Sequence, residues 1–163
     1  MASILAPIPR FIFTVFEPLS LVAGFAVPIL NPSYFVSLQV PSQAPSAVPY
    51  NLTPTDRILA LQLANTYGLL CMVGVGVLYA TTEPKVVRNY LIACAIADVG
   101  HGWATGAVMG WEDFVNVGGW NEAAWGNLGV TLFLFVSRIL WFAGLLGKNI
   151  EQGQREQGFR KTQ

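Results

Sequence analysis

Long apolar runs alternate with short polar breaks along this chain. Four runs, at about 11–30, 56–80, 85–110 and 123–147, each hold roughly 20 to 25 residues, enough to cross about 30 Å of hydrocarbon at 1.5 Å per residue. Each predicts a transmembrane helix. The breaks carry matching punctuation. Residues 31–54 include Pro32, Pro41, Pro45, Pro49 and Pro54 with several serines, the composition of an extended, turn-rich linker. Thr55 and Asp56 open the second helix with an acid in its first turn. Residues 81–84 make a short turn, and Lys85 and Arg88 begin the third helix. Residues 111–122, WEDFVNVGGWNE, form a polar aromatic loop. The expected fold is an all-α membrane protein, a four-transmembrane-helix bundle in one domain over 1–163, with a basic, flexible tail at 148–163.

The first run has a basic start at Arg10, as a signal peptide would. Glu17 and Pro18 interrupt its apolar core and no clean small-residue cleavage site follows, so a retained helix kinked near Pro18 is expected. Gly68, Gly74 and Gly76 in the second run allow close approach of another helix, and Gly102, Gly106 and Gly110 form a small-residue packing edge on the third. Asn51-Leu52-Thr53 matches a glycosylation acceptor, but Pro54 and the membrane follow at once.

Composition agrees. The chain is 53% hydrophobic and 11% charged, against about 25% charged in soluble domains, and its mean hydropathy is +0.50. Nine basic and nine acidic residues give a formal charge of zero, which does not suggest a nucleic-acid partner. Cys71 and Cys94 both fall inside apolar runs, so no disulfide framework is indicated. With one histidine and no cysteine cluster, no metal site and no cofactor are expected. Arg10, Lys85, Arg88, Lys148, Arg155, Arg160 and Lys161 fall on one side of the predicted membrane and Arg57 alone on the other. The positive-inside rule then puts both termini in the cytosol.

The candidate chemistry lies within the runs. At 1.5 Å per residue, Glu17 sits about 10 Å from the cytosolic end of its helix, Arg138 about 13 Å, Asp98 about 20 Å, and His101 and Asn65 about 24 Å. Four helices thus bring polar groups into one band, as an interior polar pocket requires. Asp98 and His101, three residues apart, share a helix face. Asp98 is the candidate general base. Arg138 is its charge partner or an oxyanion stabiliser. His101 is an acid or an orienting group, and Glu17, if kept neutral, a proton donor. Asn65, Trp103, Trp111 and Asn121 are the candidate binding residues. Plainer readings stay open. Asp98 and Arg138 make a packing salt bridge, and His101 and Asn65 bond across helices. Glu17 caps a kink or reaches headgroups, and Asn121 caps the fourth helix. Trp103, Trp111, Trp120 and Trp125 form an interfacial belt, and Glu112, Asp113 and Glu122 are solvated.

Three stretches, FEPLS (Phe16–Ser20), ADVGHG (Ala97–Gly102) and SRILWFAGLLG (Ser137–Gly147), resemble the short hydrophobic epoxide hydrolases of fungal polyene-pyrone polyketide clusters, of the citreoviridin and aurovertin type. That resemblance implies opening of an epoxide on a hydrophobic polyketide by water or an internal hydroxyl, giving oxygen heterocycles. The architecture is also similar to the sterol isomerases related to the emopamil-binding protein, although no second acid lies one turn from His101 on its helix. It is similar too to fungal membrane terpene cyclases, which are longer. A non-catalytic scaffold or lipid-binding protein is the remaining class. Expected partners are a hydrophobic small molecule, membrane lipid and other enzymes of the same pathway, in the endoplasmic reticulum membrane.

Overall fold

The computed structural model describes residues 4–43 and 51–147. These form α1 (Pro7–Leu30), α2 (Pro32–Ser37), α3 (Pro54–Ala80), α4 (Pro84–Met109), α5 (Trp111–Val115) and α6 (Glu122–Phe142), with no strand among the described residues. Helices α1, α3, α4 and α6 are long and apolar enough to cross a membrane. The predicted tail at 148–163 and the linker residues 44–50 lie outside the described residues.

Local chemistry sets the helix ends. Pro32, Pro54 and Pro84 begin α2, α3 and α4, where a missing N–H costs nothing. Thr53 and Asp56 close a capping box: the Asp56 N–H donates to Thr53 Oγ1 at 3.2 Å and the Thr53 N–H to Asp56 Oδ2 at 3.0 Å. The second span therefore starts at Pro54, with Thr53 as its cap. Gly110 ends α4 at φ +86°, a conformation L side chains rarely adopt. The fourth span stops at Phe142 rather than 147. There Gly144, at φ +74°, forms a Schellman turn in which the Leu145 N–H donates to the Leu140 carbonyl and the Gly144 N–H to the Trp141 carbonyl.

The predicted linker and loop hold more structure than their composition suggests. Residues 31–54 contain α2, which Asn31 caps by accepting the Tyr34 N–H at 3.1 Å, and a 3₁₀ turn at Pro41–Gln43. The stretch 111–122 contains α5 and a 3₁₀ turn at Val117–Gly119. These two segments meet. The Tyr34 hydroxyl donates to Glu122 at 2.7 Å, Ser42 bonds to Asp113, and the Asn121 amide donates to the Leu38 carbonyl at 3.0 Å. The Glu122 carboxylate holds the Tyr34 phenol above its usual pKa. Asp113 and Glu122 thus tie the two segments together.

The four spans run up, down, up and down. Ile4, Leu5 and Phe13 cluster with Leu78 from the end of α3, Val87 and Leu91 from the start of α4, and Trp141 from the end of α6. At the opposite end, Met109 packs with Ala124, Leu128, Phe114 and Trp120. Helix α1 packs along α3, and α4 along α6. Large apolar side chains such as Leu19, Leu30, Met72 and Ile96 cover the outside, as a lipid-facing surface requires. Between α1 and α3, rings fill glycine gaps. A Cβ at Gly24 would meet the Tyr67 ring at 3.0 Å, and one at Gly68 the Phe25 ring at 2.9 Å.

The break in α1 is a π-helical turn, Ile12–Phe16, just before Pro18. Proline lacks an N–H and crowds the carbonyl four residues back. That carbonyl, on Thr14, instead accepts the Tyr79 hydroxyl from α3 at 2.9 Å. The expected kink near Pro18 is therefore a π turn whose freed carbonyl a neighbouring helix satisfies.

Gly74 gives a direct test of packing. A Cβ there would fall 2.5 Å from the Tyr90 hydroxyl but 3.5 Å from its Cζ. Gly74→Ala is expected to lower stability by about 1–3 kcal/mol through overpacking. The double variant Gly74→Ala/Tyr90→Phe should recover most of that loss in a thermal-unfolding assay of the detergent-solubilised protein.

Candidate functional site

Three spans deliver one charged cluster. Arg138 on α6 is 1% exposed. Its Nη2 donates to Glu17 Oε1 on α1 at 2.5 Å, and its Nη1 to Asp98 Oδ2 on α4. The guanidinium also lies over the Phe13 ring, 5.6 Å from its centre. One cation between two carboxylates is a costly group to bury and must be well paired to persist. The pairing is incomplete: Glu17 Oε2 and Arg138 Nε are buried without a hydrogen-bond partner among the described residues.

The three members differ in access. The Glu17 side chain is 4% exposed and that of Asp98 14%. Asp98 faces a cleft of about 780 Å³ between α4, α5 and α6. On α4 the cleft is lined by Asp98, Gly102, Trp103 and Gly106, and on α6 by Leu128, Thr131, Leu132 and Phe135. Trp111, Phe114 and Trp120 line its far end. Asp98 is the one ionisable side chain in its lining. A carboxylate at the end of an apolar cleft can bind, position or deprotonate an oxygen-bearing group on a hydrophobic molecule.

Of the glycines expected to form a helix-packing edge, Gly102 and Gly106 line this cleft, and Gly110 ends the helix. A Cβ at Gly102 would meet nothing within 4 Å, and one at Gly106 would meet the Phe114 ring of α5 at 3.0 Å.

A second polar cluster lies toward the α2 end of the bundle. Asn127 Oδ1 accepts the Tyr67 hydroxyl at 3.0 Å and pairs with His101 Nε2 at 3.2 Å, while its amide donates to Gln39 Oε1 at 3.2 Å. Asn127 belongs to a π-helical turn, Trp125–Gly129. Both π turns thus adjoin a polar residue of the interior, Glu17 in α1 and Asn127 in α6, and such turns often occur at functional positions.

The sequence-derived candidates divide accordingly. Glu17, Asp98 and Arg138 come together. His101 joins the Asn127 cluster, and of these four only Asp98 lines the cleft. Trp103 and Trp111 line it as well. Asn65 does not enter the site: it lies on an exposed face of α3. Two residues on, Tyr67 turns inward instead, about 200° around the helix. Asn121 caps α6, accepting the Ala124 N–H at 2.9 Å. Tyr67, Gln39 and Asn127 were missed, although Asn127 is the sole amide of run 123–147 and could have been noticed on that ground. Cys71 and Cys94 are free thiols. Among the described residues no group of three His, Cys, Asp or Glu side chains is placed to hold a metal.

Replacing the Asn127 acceptor gives a second test. Asn127→Leu takes the partner from the part-buried Tyr67 hydroxyl and His101 Nε2 and is expected to cost about 1–3 kcal/mol, whereas Asn65→Leu on the outer face should change the melting temperature little. Equal effects would remove the Asn127 cluster from the interior.

Up-and-down apolar helices around a buried ion cluster define a polytopic helical membrane protein with a charged interior. The chain belongs to the family described as a domain of unknown function (DUF7704), whose model matches residues 2–148. No curated protein and no solved structure matches it.

Proposed function

We propose that this protein is a membrane-embedded acid–base enzyme that opens an epoxide on a hydrophobic metabolite, with Asp98 as the proton-transferring group. One observation carries the reading: a carboxylate braced by a buried guanidinium stands at the end of a largely apolar cleft. Water or an internal hydroxyl attacks an epoxide carbon, and that C–O bond breaks. Asp98 takes the proton of the nucleophile and returns it to the former ring oxygen, so the carboxylate is regenerated. Arg138 holds Asp98 in place and offsets its charge, and Glu17 accepts the other arm of the guanidinium from behind. Trp103, Trp111 and the neighbouring rings hold the substrate body. A hydrophobic polyketide substrate, pathway enzymes as neighbours, cytosolic termini and an endoplasmic reticulum location belong to the same reading. They rest on the resemblance of the three sequence stretches and on the distribution of Lys and Arg.

A structural reading has its own observation. Arg138 ties α6 to α1 and α4, as a scaffold without chemistry also would. The reaction is tested by incubating protein-bearing membranes with a lipophilic epoxide in ¹⁸O-labelled water. Label in a diol, or an unlabelled cyclic ether from a hydroxy-epoxide, supports epoxide opening. Double-bond migration with solvent hydrogen exchange points to an isomerase. Unchanged epoxides across a structurally varied panel favour the scaffold.

A further inference from the structure

We infer that the cleft takes a long, uncharged, lipophilic molecule end-on, with its single oxygen function against Asp98 and its tail toward the aromatic end. The inference rests on the proposed active-site reading of the cleft and adds the shape, charge and direction of its occupant.

The lining sets the shape. Asp98, Gly102 and Gly106 recur every four residues, a strip of about 12 Å along α4. Facing it on α6, Leu128, Thr131, Leu132 and Phe135 follow a matching helical spacing. The helices are antiparallel, so Phe135 lies at the Asp98 end and Leu128 near Gly106. Glycine at 102 leaves open space where any other residue would project a side chain. The result is a slot along the helix axes, suited to a rod-like molecule.

Polarity sets the direction. The lining holds one carboxylate, at one end, and one hydroxyl, on Thr131 part-way along. The other end is formed by Trp111, Phe114, Val117 and Trp120. A molecule with one oxygen function at its end satisfies that group at Asp98 and leaves an apolar tail among rings. The inverted pose would set the apolar tail against the Asp98 carboxylate, stripping water from a charged group without replacing it.

Charge complementarity sets the class. Asp98 already holds a guanidinium behind it. An anionic head would face the carboxylate, and a cationic head, although drawn to Asp98, would have to leave water for an apolar cleft whose one carboxylate is already bonded to Arg138. A neutral hydroxyl, carbonyl or epoxide oxygen meets neither penalty.

Photolabelling of the full chain in lipid nanodiscs tests all three points. The probes are straight-chain twelve-carbon compounds with a diazirine at the tail and a hydroxyl, ammonium or carboxylate head. Labelled peptides are mapped by mass spectrometry. The alcohol should label the 111–120 segment, and the two charged probes should do so about tenfold less or weaker still. Gly102→Leu should abolish that labelling by filling the slot. Gly100→Leu is the matched control, because a Cβ there also meets nothing within 4 Å and Gly100 does not line the cleft. Labelling concentrated near Val99 overturns the direction. Stronger labelling by the ammonium or carboxylate probe overturns the charge assignment. Labelling indifferent to Gly102→Leu, with both variants accumulating normally, overturns the slot. The enzymatic reading fails separately: end-on labelling without epoxide turnover sinks the reaction alone, and turnover without cleft labelling sinks only this inference.

Discussion

Arg138→Leu should leave little folded protein. The substitution strands Glu17 and Asp98, two carboxylates with no other cation bonded to them among the described residues. Removing one partner of a buried ion pair costs about 3–5 kcal/mol, a large part of the stability of an ordinary domain. Here the loss also unlinks α6 from α1 and α4, which Arg138 alone joins through ion pairs among the described residues. The readouts are the monodisperse fraction after detergent extraction and the unfolding temperature. Replacing the whole cluster by apolar residues, as Glu17→Met/Asp98→Leu/Arg138→Met, should restore much of the loss, because well-packed apolar groups commonly match a buried ion cluster in stability. That variant should be folded and inactive. Stable Arg138→Leu protein would show that the cluster is not a structural element of the bundle.

Asp98→Asn should give the opposite pattern, folded protein without activity. The amide oxygen still accepts from Arg138 Nη1, and Glu17 still pairs with the guanidinium at Nη2. Arg138 is not left alone, as it would be if Asp98 were its one partner, so the fold has little reason to fail. The amide cannot accept and return a proton. A positioned general base contributes about a hundredfold to ten-thousandfold in rate, and a loss of that size in epoxide consumption is expected. Equal accumulation of the two proteins in membranes makes the comparison valid. Unchanged turnover would remove Asp98 from the chemistry and with it the proposed reaction. Glu17→Gln, which alters the cluster behind Arg138 without touching the cleft, should reduce turnover less than Asp98→Asn.

The sequence carried the helices and the levels of their charges. A lipid-exposed backbone must satisfy its own hydrogen bonds, so an apolar run of sufficient length has few options besides a helix. Position along a helix converts into depth at a fixed rise, which is how Glu17, Asp98 and Arg138 could be placed in one band before their contact was known. Capping and turn chemistry refined the ends, through Thr53 with Asp56, Gly110 and Gly144. The short helix α2 escaped the reading because proline and small polar residues mark turns and helix starts alike, and α5 because a single turn is too short to show a helical period.

What the sequence could not decide was which way each side chain turns. In a soluble helix the apolar stripe marks the interior, but a span is apolar on its lipid face as well as its packed face. Asn65 and Tyr67 were equally eligible polar residues, and only the pairing of α1 with α3 and of α4 with α6 sends Tyr67 inward to Asn127. The same pairing gives His101 its hydrogen bond at Asn127 rather than at the ion cluster, and puts Gly102 and Gly106, which read as part of a helix-packing edge, on the floor of a cleft. Depth is a one-dimensional property and follows from counting residues. A site is three-dimensional, and it exists here because Arg138 reaches two other helices at once.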